Sequence, residues 1–402
     1  MSISLLYISM MMPRKNANNG GANTFYYYIS NMAKQSNVVV TLIAKARDKK
    51  EASTNIENVR IFPIVNKKLN LAHPISLFKD INSKINPLAK KGNTLRESIY
   101  VQILDTITES GIYPDVIILE FSQMAYLVKP LKKKFPKAKF FVSEHDVTYL
   151  WYKRKSASQN SFIVKEYWNI IGKYRKKMEL NAINQCDIIM PHNDKDKKLL
   201  IEDGIDPHKV CPIVPYYEEI NISRNPNYRD VIIYGAMDRP ENYISAIWFI
   251  KKVMPLLTDE DIRLLVIGGN PSEKLHSFES NNIKIMGFVE NLKPYFSSCV
   301  AMVAPLSLGA GIKIKVLEAM YAGIPTLTNE IGIEGIPAID KRDYFLCNTP
   351  EEYAEILKQI IDRKVDLNAI SKNAHKCIVD NFDKEQSFKE YYSRIVKLSG
   401  KS

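Results

Sequence analysis

Cysteine is scarce in this sequence, and what there is has no pattern. Five cysteines, Cys186, Cys211, Cys299, Cys347 and Cys377, are scattered among 402 residues. Their number is odd and no two stand in a C-x-x-C spacing, which argues against a disulfide framework or a zinc site and suits a reducing cytosol. Long apolar runs are missing too, since none approaches the ~18 residues of a membrane span. The opening "MSISLLYISMMMPRK" is apolar, but its positive charges follow the apolar run and no small-x-small cleavage site appears. A first buried strand explains it better than a secretory leader. The chain therefore reads as cytoplasmic, at most peripheral on the inner face of the plasma membrane.

Familiar catalytic motifs are absent as well. There is no H-E-x-x-H, no G-x-S-x-G and no G-x-x-x-x-G-K-[ST] phosphate loop. "VIGGN" (266–270) lacks the third glycine of a dinucleotide fingerprint and reads as a strand-end loop. "NDKDKK" (193–198) contains Asp194-x-Asp196 but follows a strand pattern and opens a helix, so capping by Asn193 or Asp194 accounts for it and no metal site is expected. The formal net charge of +12 favours anionic partners such as nucleotide phosphates or acidic lipid, and general solubility accounts for it equally well. No helix-turn-helix or aromatic–basic module supports nucleic-acid binding.

What is present is rhythm. A chain of 402 residues is too long for one core. Continuously apolar runs recur at 3–9, 38–44, 59–64, 115–120, 139–144 and 187–192, with helical patterns such as 22–35 and 165–185 between them. Strands that are apolar without alternation are those covered on both faces of a parallel sheet. Prolines 207, 212, 215 and 226 break the pattern over 206–229. It then restarts at 230–236, 262–269, 283–289, 299–306, 324–329 and 344–347, with helices expected at 242–257, 312–322 and 351–362. The expected fold class is α/β, with two Rossmann-like doubly wound domains facing across a cleft. The domains are placed at 1–212 and 230–381, with a linker at 213–229. An amphipathic helix in 382–402 is long enough to pack across either domain. The Lys-rich stretch 65–100 reads as a solvated insertion or as a basic element at a membrane surface.

The candidate site begins in "LGAGIKIKVLEAM" (308–320). Gly309 and Gly311 let the chain turn from a strand into a helix whose free N–H groups attract a phosphate. Gly311, Lys315 and Glu318 are spaced four and three apart and are expected on one helix face. About 10 Å along the axis separates Gly311 from Glu318, near the reach from a diphosphate to a ribose diol. Lys313 is placed in the first turn, where a cation opposes the helix dipole unless an anion is bound.

The longer stretch "GFVENLKPYFSSCVAMVAPLSLGAGIKIKVLEAMYAGIPTLTNEIGIEGI" (287–336) resembles the donor-binding half of GT-B glycosyltransferases. The likeness is to the large retaining family 4 group (glycosyl transferases group 1), in a branch reading G-A-G-I-K-x-K-x-L-E-A-M-x-x-G-x-P. "IIYGAMDRPENYISAIWFIKKVMPLL" (232–257) and "HDVTYLWYKR" (145–154) are similar to the same branch. The family's E-x7-E motif is matched at Glu318, but Ala310 stands where its first glutamate belongs. The resemblance implies a nucleotide-sugar site built from Gly235, Arg239, Phe288, Val289, Gly309, Ala310, Gly311, Ile312 and Glu318. Phe288 and Val289 stand at a strand end whose backbone would read the base, and Glu318 would hold the ribose. Arg239 is all that remains of the Arg–Lys pair that the wider family carries there, so Lys313 and Lys315 are expected to supply the missing positive charge.

In the first half, the resemblance places a loop at Gly20 and Gly21 against the acceptor and the donor phosphates, and a simple turn is the alternative reading. His145 follows a strand directly. The resemblance makes it a cleft residue touching the donor sugar, and a core or capping histidine is the alternative reading. Asp146 would orient His145 or cap the next helix, and Glu144 could reach the cleft. The implied activity is retaining, metal-independent sugar transfer to a glycan or lipid-linked acceptor, in bacterial capsule or O-antigen assembly. No cofactor is expected beyond a UDP- or GDP-sugar serving as substrate. An idle subunit that partners another transferase is the alternative, motivated by Ala310.

Overall fold

The computed structural model describes residues 2–15, 17, 20–65, 97–258, 260–309 and 311–401. Ala310 and residues 66–96, most of the basic stretch, lie outside the described residues. Each apolar run becomes a parallel strand. The first six are β1 (Ile3–Ser9), β2 (Val38–Ala46), β3 (Val59–Val65), β4 (Val116–Glu120), β5 (Lys139–Glu144) and β6 (Ile188–Pro191). They form one sheet in the order β3-β2-β1-β4-β5-β6. The next six are β7 (Asp230–Tyr234), β8 (Arg263–Ile267), β9 (Ile283–Gly287), β10 (Ala301–Ala304), β11 (Thr326–Thr328) and β12 (Phe345–Leu346). Their order, β9-β8-β7-β10-β11-β12, repeats the first sheet's.

This is the doubly wound order, in which successive strands step outward from β1 in one direction and then restart from β4 in the other. The reversal leaves a crevice at the carboxyl ends of β1 and β4, and an equivalent one at β7 and β10. Each sheet is covered on both faces, which is why Leu5, Leu6, Ile117 and Ile118 are all fully buried although neighbours in a strand point opposite ways.

The chain divides into two compact units, Met1–Tyr216 with Lys384–Ser402, and Tyr217–Asp383. The C-terminal helix Lys384–Ser399 belongs to the first unit. There the Tyr391 and Tyr7 hydroxyls share a buried hydrogen bond of 2.8 Å. The Tyr28 hydroxyl meets Ser387 Oγ at 2.7 Å and donates to the Val214 carbonyl at 2.8 Å.

Helix boundaries depart from the sequence reading for local reasons. The helix expected over 242–257 ends at Lys252 and continues as a 3-10 turn, Met254–Leu257, because Pro255 has no N–H for the helical ladder. The helix expected over 312–322 spans only Ile314–Tyr321, since Lys313 is extended at φ −93° and ψ 95° and serves as its N-cap. A helix at Leu367–Asn381 was not anticipated.

Tyr391→Phe removes one hydroxyl and leaves that of Tyr7 buried. A loss of about 1–3 kcal/mol is expected, read as a lower urea midpoint than wild type. An unchanged midpoint would show that this contact does not hold the helix.

Candidate functional site

In the second unit the site grows from the carboxyl ends of β7 and β10. The loop after β7 is drawn tightly against its neighbours. Gly235 donates its N–H to the Ile267 carbonyl at 3.0 Å, and Gly268 donates to the Gly287 carbonyl at 2.8 Å. A Cβ on Gly268, at φ +155°, would lie 1.7 Å from the carbonyl oxygen of Gly235, so no other residue fits there. A Cβ on Gly235, at φ +145°, would meet the Asn242 amide at 2.9 Å. Asn242 lies in helix Pro240–Lys252 and donates its own amide to the Ala236 carbonyl at 2.8 Å.

The other oxygen-bearing end of that amide receives Lys315, whose Nζ donates to Asn242 Oδ1 at 2.7 Å. Burial pushes the Lys315 pKa down to about 7, with Glu241 pulling the other way and Lys313 and Arg239 adding to the fall. An ammonium taken out of water and met by an amide, not a carboxylate, is poorly compensated, and that lowers a lysine pKa.

Two expectations differ from the structure. Gly311, Lys315 and Glu318 do not share a helix face, because Gly311 precedes the helix. Lys313 is not in the first turn but is the residue before it, and its Nζ donates back to the Gly311 carbonyl and pairs with Glu334 at 3.5 Å. Its conflict with the helix dipole is thus relieved within the protein, by a carboxylate that sequence reasoning had passed over. Glu318, half-buried, accepts a hydrogen bond from the Tyr234 hydroxyl and one from the Glu218 N–H at 3.1 Å. Tyr234 itself is edge-on to Phe296 at 5.3 Å.

Around this centre, Gly309 takes φ +112° and packs on the Lys313 side chain. Ile312 is half-buried beside it. Arg239 caps helix Pro240–Lys252 from the N-terminal side and pairs with Glu241 at 2.5 Å. Phe288, 68% exposed, and the half-buried Val289 follow the end of β9.

In the first unit, three strands end in acid or imidazole. His145, after β5, places Nε2 2.8 Å from Oε2 of Glu120, the last residue of β4. A proton on Nε2 would make this contact a hydrogen bond to the carboxylate and leave Nδ1 for another partner. Phe121 stacks on the imidazole with centroids 4.2 Å apart, and it does so from φ +74° and ψ 137°. His192, after β6, meets His145 edge-on at 4.4 Å and directs Nδ1 to the Ile213 carbonyl at 3.2 Å. Burial holds the His192 pKa well below the usual range, and His145 adds to that, so this second imidazole is neutral. The partner of His145 is therefore Glu120, 25 residues away, where Asp146 had been considered. Nor does Asp146 cap the next helix, whose N-cap is Val147.

Gly20 and Gly21 do not form a loop between strand and helix. They are the first two residues of helix Gly20–Ala33. Glu144 turns inward, fully buried against Glu179. Burial, and then the Glu179 carboxylate, raise its pKa well above the usual value. Asn193 caps helix Asp194–Glu202, accepting from the Asp196 N–H at 2.7 Å, as the sequence reading had it. Among the described residues, no group of three or more His, Cys, Asp or Glu is placed to hold a metal ion, and no helix is long and apolar enough to cross a membrane.

Residues 228–363 match the family model described as "Glycosyl transferases group 1". Along its whole length the chain is similar to the Anabaena HepE protein solved in complex with UDP, at 11% identity and a TM-score of 0.68, covering 98% of this chain and 100% of that one. It is similar also to sucrose-phosphate synthase from Thermosynechococcus elongatus, at 13% identity and a TM-score of 0.71, covering both chains fully. The fold is GT-B. A curated Klebsiella pneumoniae protein, described as an uncharacterized 44.6 kDa protein in the cps region, is 24% identical over 264 residues. That match spans 62% of this chain and 66% of the relative.

The buried Glu144–Glu179 pair yields a pH prediction. Glu144 keeps its proton when folded at a pH where the unfolded glutamate has lost it, so unfolding releases a proton. The contribution of Glu144 to stability therefore falls as pH rises above about 4.5, by about 1.4 kcal/mol per pH unit until it ionises in the folded protein. Glu144→Gln is expected to make that fall shallower and to raise Tm at pH 7–8, with little change near pH 4.5. Parallel Tm–pH curves for variant and wild type would contradict the assignment.

Proposed function

We propose that this chain is a retaining glycosyltransferase that moves a sugar from a UDP- or GDP-sugar to an acceptor hydroxyl on a glycan or lipid-linked sugar. The observation that carries the reading is Lys315, a lysine held at a pKa of about 7 at the switch point of the unit whose sequence matches glycosyl transferases group 1. A cation that burial has made costly gains most from an incoming diphosphate.

In this reading Gly309, Gly311 and Ile312, with Ala310 between them, line the diphosphate, and Lys315 with Lys313 meets the charge that grows on it as the glycosidic bond breaks. Gly235 and Arg239 border the same phosphates, Glu318 receives the ribose hydroxyls, and the backbone at Phe288 and Val289 meets the base. Gly20 and Gly21 approach from the acceptor side. His145, protonated on Nε2 toward Glu120, offers Nδ1 to the donor sugar. The leaving phosphate takes the acceptor proton on the same face of the sugar, which preserves the anomeric configuration, and no metal is required because lysines and the helix terminus neutralise the charge. The UDP complexes of the Anabaena relative and the cps-region setting of the Klebsiella relative support a nucleotide-sugar donor and a capsule-type product. Peripheral contact with an anionic membrane fits a lipid-linked acceptor.

A second reading has an observation of its own. Lys313 is already paired with Glu334, and Glu318 already accepts hydrogen bonds from the Tyr234 hydroxyl and the Glu218 N–H, as in a donor site that has become structural. Transfer or donor hydrolysis by the isolated chain would exclude this idle-subunit reading.

Nucleotide binding should be proton-linked. Bound phosphate raises the Lys315 pKa above about 7, so the complex takes up a proton and affinity falls as pH rises from 6 to 9. Calorimetry with UDP or GDP in buffers of differing ionisation enthalpy reads the uptake, and Lys315→Met should abolish it and lower turnover by ~10²-fold or more. Uptake unchanged in that variant would remove Lys315 from the site.

Glu318→Ala should weaken UDP or GDP binding with the fold intact, seen as a smaller ligand-induced rise in Tm. Equal rises in variant and wild type would refute the ribose assignment.

A further inference from the structure

The connection from β5 to β6 is unusual in what it leaves outside. Helix Thr148–Ala157 and helix Phe162–Ile183 pack together through an aromatic cluster in which Trp151 meets Trp168 at 6.0 Å and Tyr167 meets Trp168 at 5.2 Å. Yet large apolar side chains remain on the surface of this pair: Phe162 is 76% exposed, Ile163 79% and Ile170 60%, with Trp151, Val164 and Tyr167 also exposed. Single exposed hydrophobics are ordinary, but a cluster confined to one hairpin of helices is a contact surface.

The arrangement on the second helix is regular. Ile163, Tyr167, Ile170 and Lys177 follow one another at spacings of four, three and seven, so they run along one face. Lys165 and Lys173 are exposed on the same helix, as are Trp151 and Lys153 on the shorter one. Over the two helices and their link, 148–183, there are eight basic side chains, six of them lysines, against two acids, Glu166 and Glu179, and of these Arg175 and Glu179 are buried. Further along, a pocket of about 460 Å³ opens among Lys173, Lys176, Lys177, Leu180, Asn181 and Asp203.

The chemistry selects the occupant. The core of a protein–protein interface is depleted of lysine. Apolar side chains flanked by lysine, with tryptophan and tyrosine at the boundary, are the composition of an element lying in the headgroup layer of a membrane. We infer that the exposed face of helices Thr148–Ala157 and Phe162–Ile183 docks on an anionic lipid surface, with Phe162, Ile163 and Ile170 inserted and the lysines on the headgroups. This deepens the peripheral contact proposed above by assigning it a surface, and it rests on that reading only for the reason such a contact would be useful.

The test is co-sedimentation of the full chain with vesicles of phosphatidylcholine alone and of equal parts phosphatidylcholine and phosphatidylglycerol. Retention is expected on the anionic vesicles only, weakening with salt, with a blue shift of tryptophan emission because Trp151 and Trp168 are two of the protein's three tryptophans. The Phe162→Ser/Ile163→Ser/Ile170→Ser variant should lose retention by ~10-fold or more with Tm unchanged, since each buried methylene contributes about 0.8 kcal/mol. Lys173→Glu/Lys177→Glu should lose it too and flatten the salt dependence. Retention that survives both variants, or that is equal on neutral vesicles, overturns the inference. So does a wild-type dimer that the triple variant dissociates, which would assign the face to a second copy. The nucleotide-induced Tm rise, measured on the same proteins without lipid, separates the two ideas: its absence removes the donor-site reading and leaves the docking surface standing.

Discussion

A strand covered on both faces has only its ends available for polar chemistry. That constraint organises everything functional in this protein. In the described strands charged side chains stand only at the first two or last two positions, and acids, imidazoles and glycine turns collect where the strands stop. Glu120, Glu144, His145 and His192 terminate or follow β4, β5 and β6, and Gly235, Gly268 and Gly287 do the same for β7, β8 and β9. The doubly wound order then decides which ends are neighbours. Glu120 reaches His145 because β4 and β5 are adjacent, although they are 25 positions apart in the chain.

The two units use this rule with opposite electrostatics. The first gathers carboxylates and two imidazoles. In the second, the same geometry gathers lysines on amides and carbonyls, with Asn242 tying helix Pro240–Lys252 to Lys315 and so to helix Ile314–Tyr321. Asn242 is both the floor beneath Gly235 and the acceptor for Lys315, so the tight turn and the buried lysine share one side chain.

Most of the fold was legible because strand burial leaves a local signature: an unbroken apolar run between turn residues. All the strand positions were readable in that way, and so was the Asn193 cap. The candidate site was legible only in its side chains, not in their partners. Lys313, Lys315, Glu318 and His145 stand out in the sequence, but Glu334, Asn242, Tyr234 and Glu120 do not. Each of these is brought in by tertiary packing, and sequence spacing along one helix says nothing about what a neighbouring strand end presents. The misplaced Lys313 has the same origin. Its side chain found a carboxylate 21 residues on, so the helix could begin later than its apolar pattern implied.

Phe121 gives the first unit an evolutionary property. Its backbone sits at φ +74° and ψ 137°, a conformation natural to glycine, and a side chain there costs on the order of 1–3 kcal/mol. Its ring nevertheless supplies the stack on His145. Relaxing the backbone and keeping the ring are incompatible at this one position, so a chain drifting under selection for thermal endurance alone would tend to give the aromatic up. Retention of Phe121 across descendants of this protein would therefore serve as a record of whether His145 was still in use.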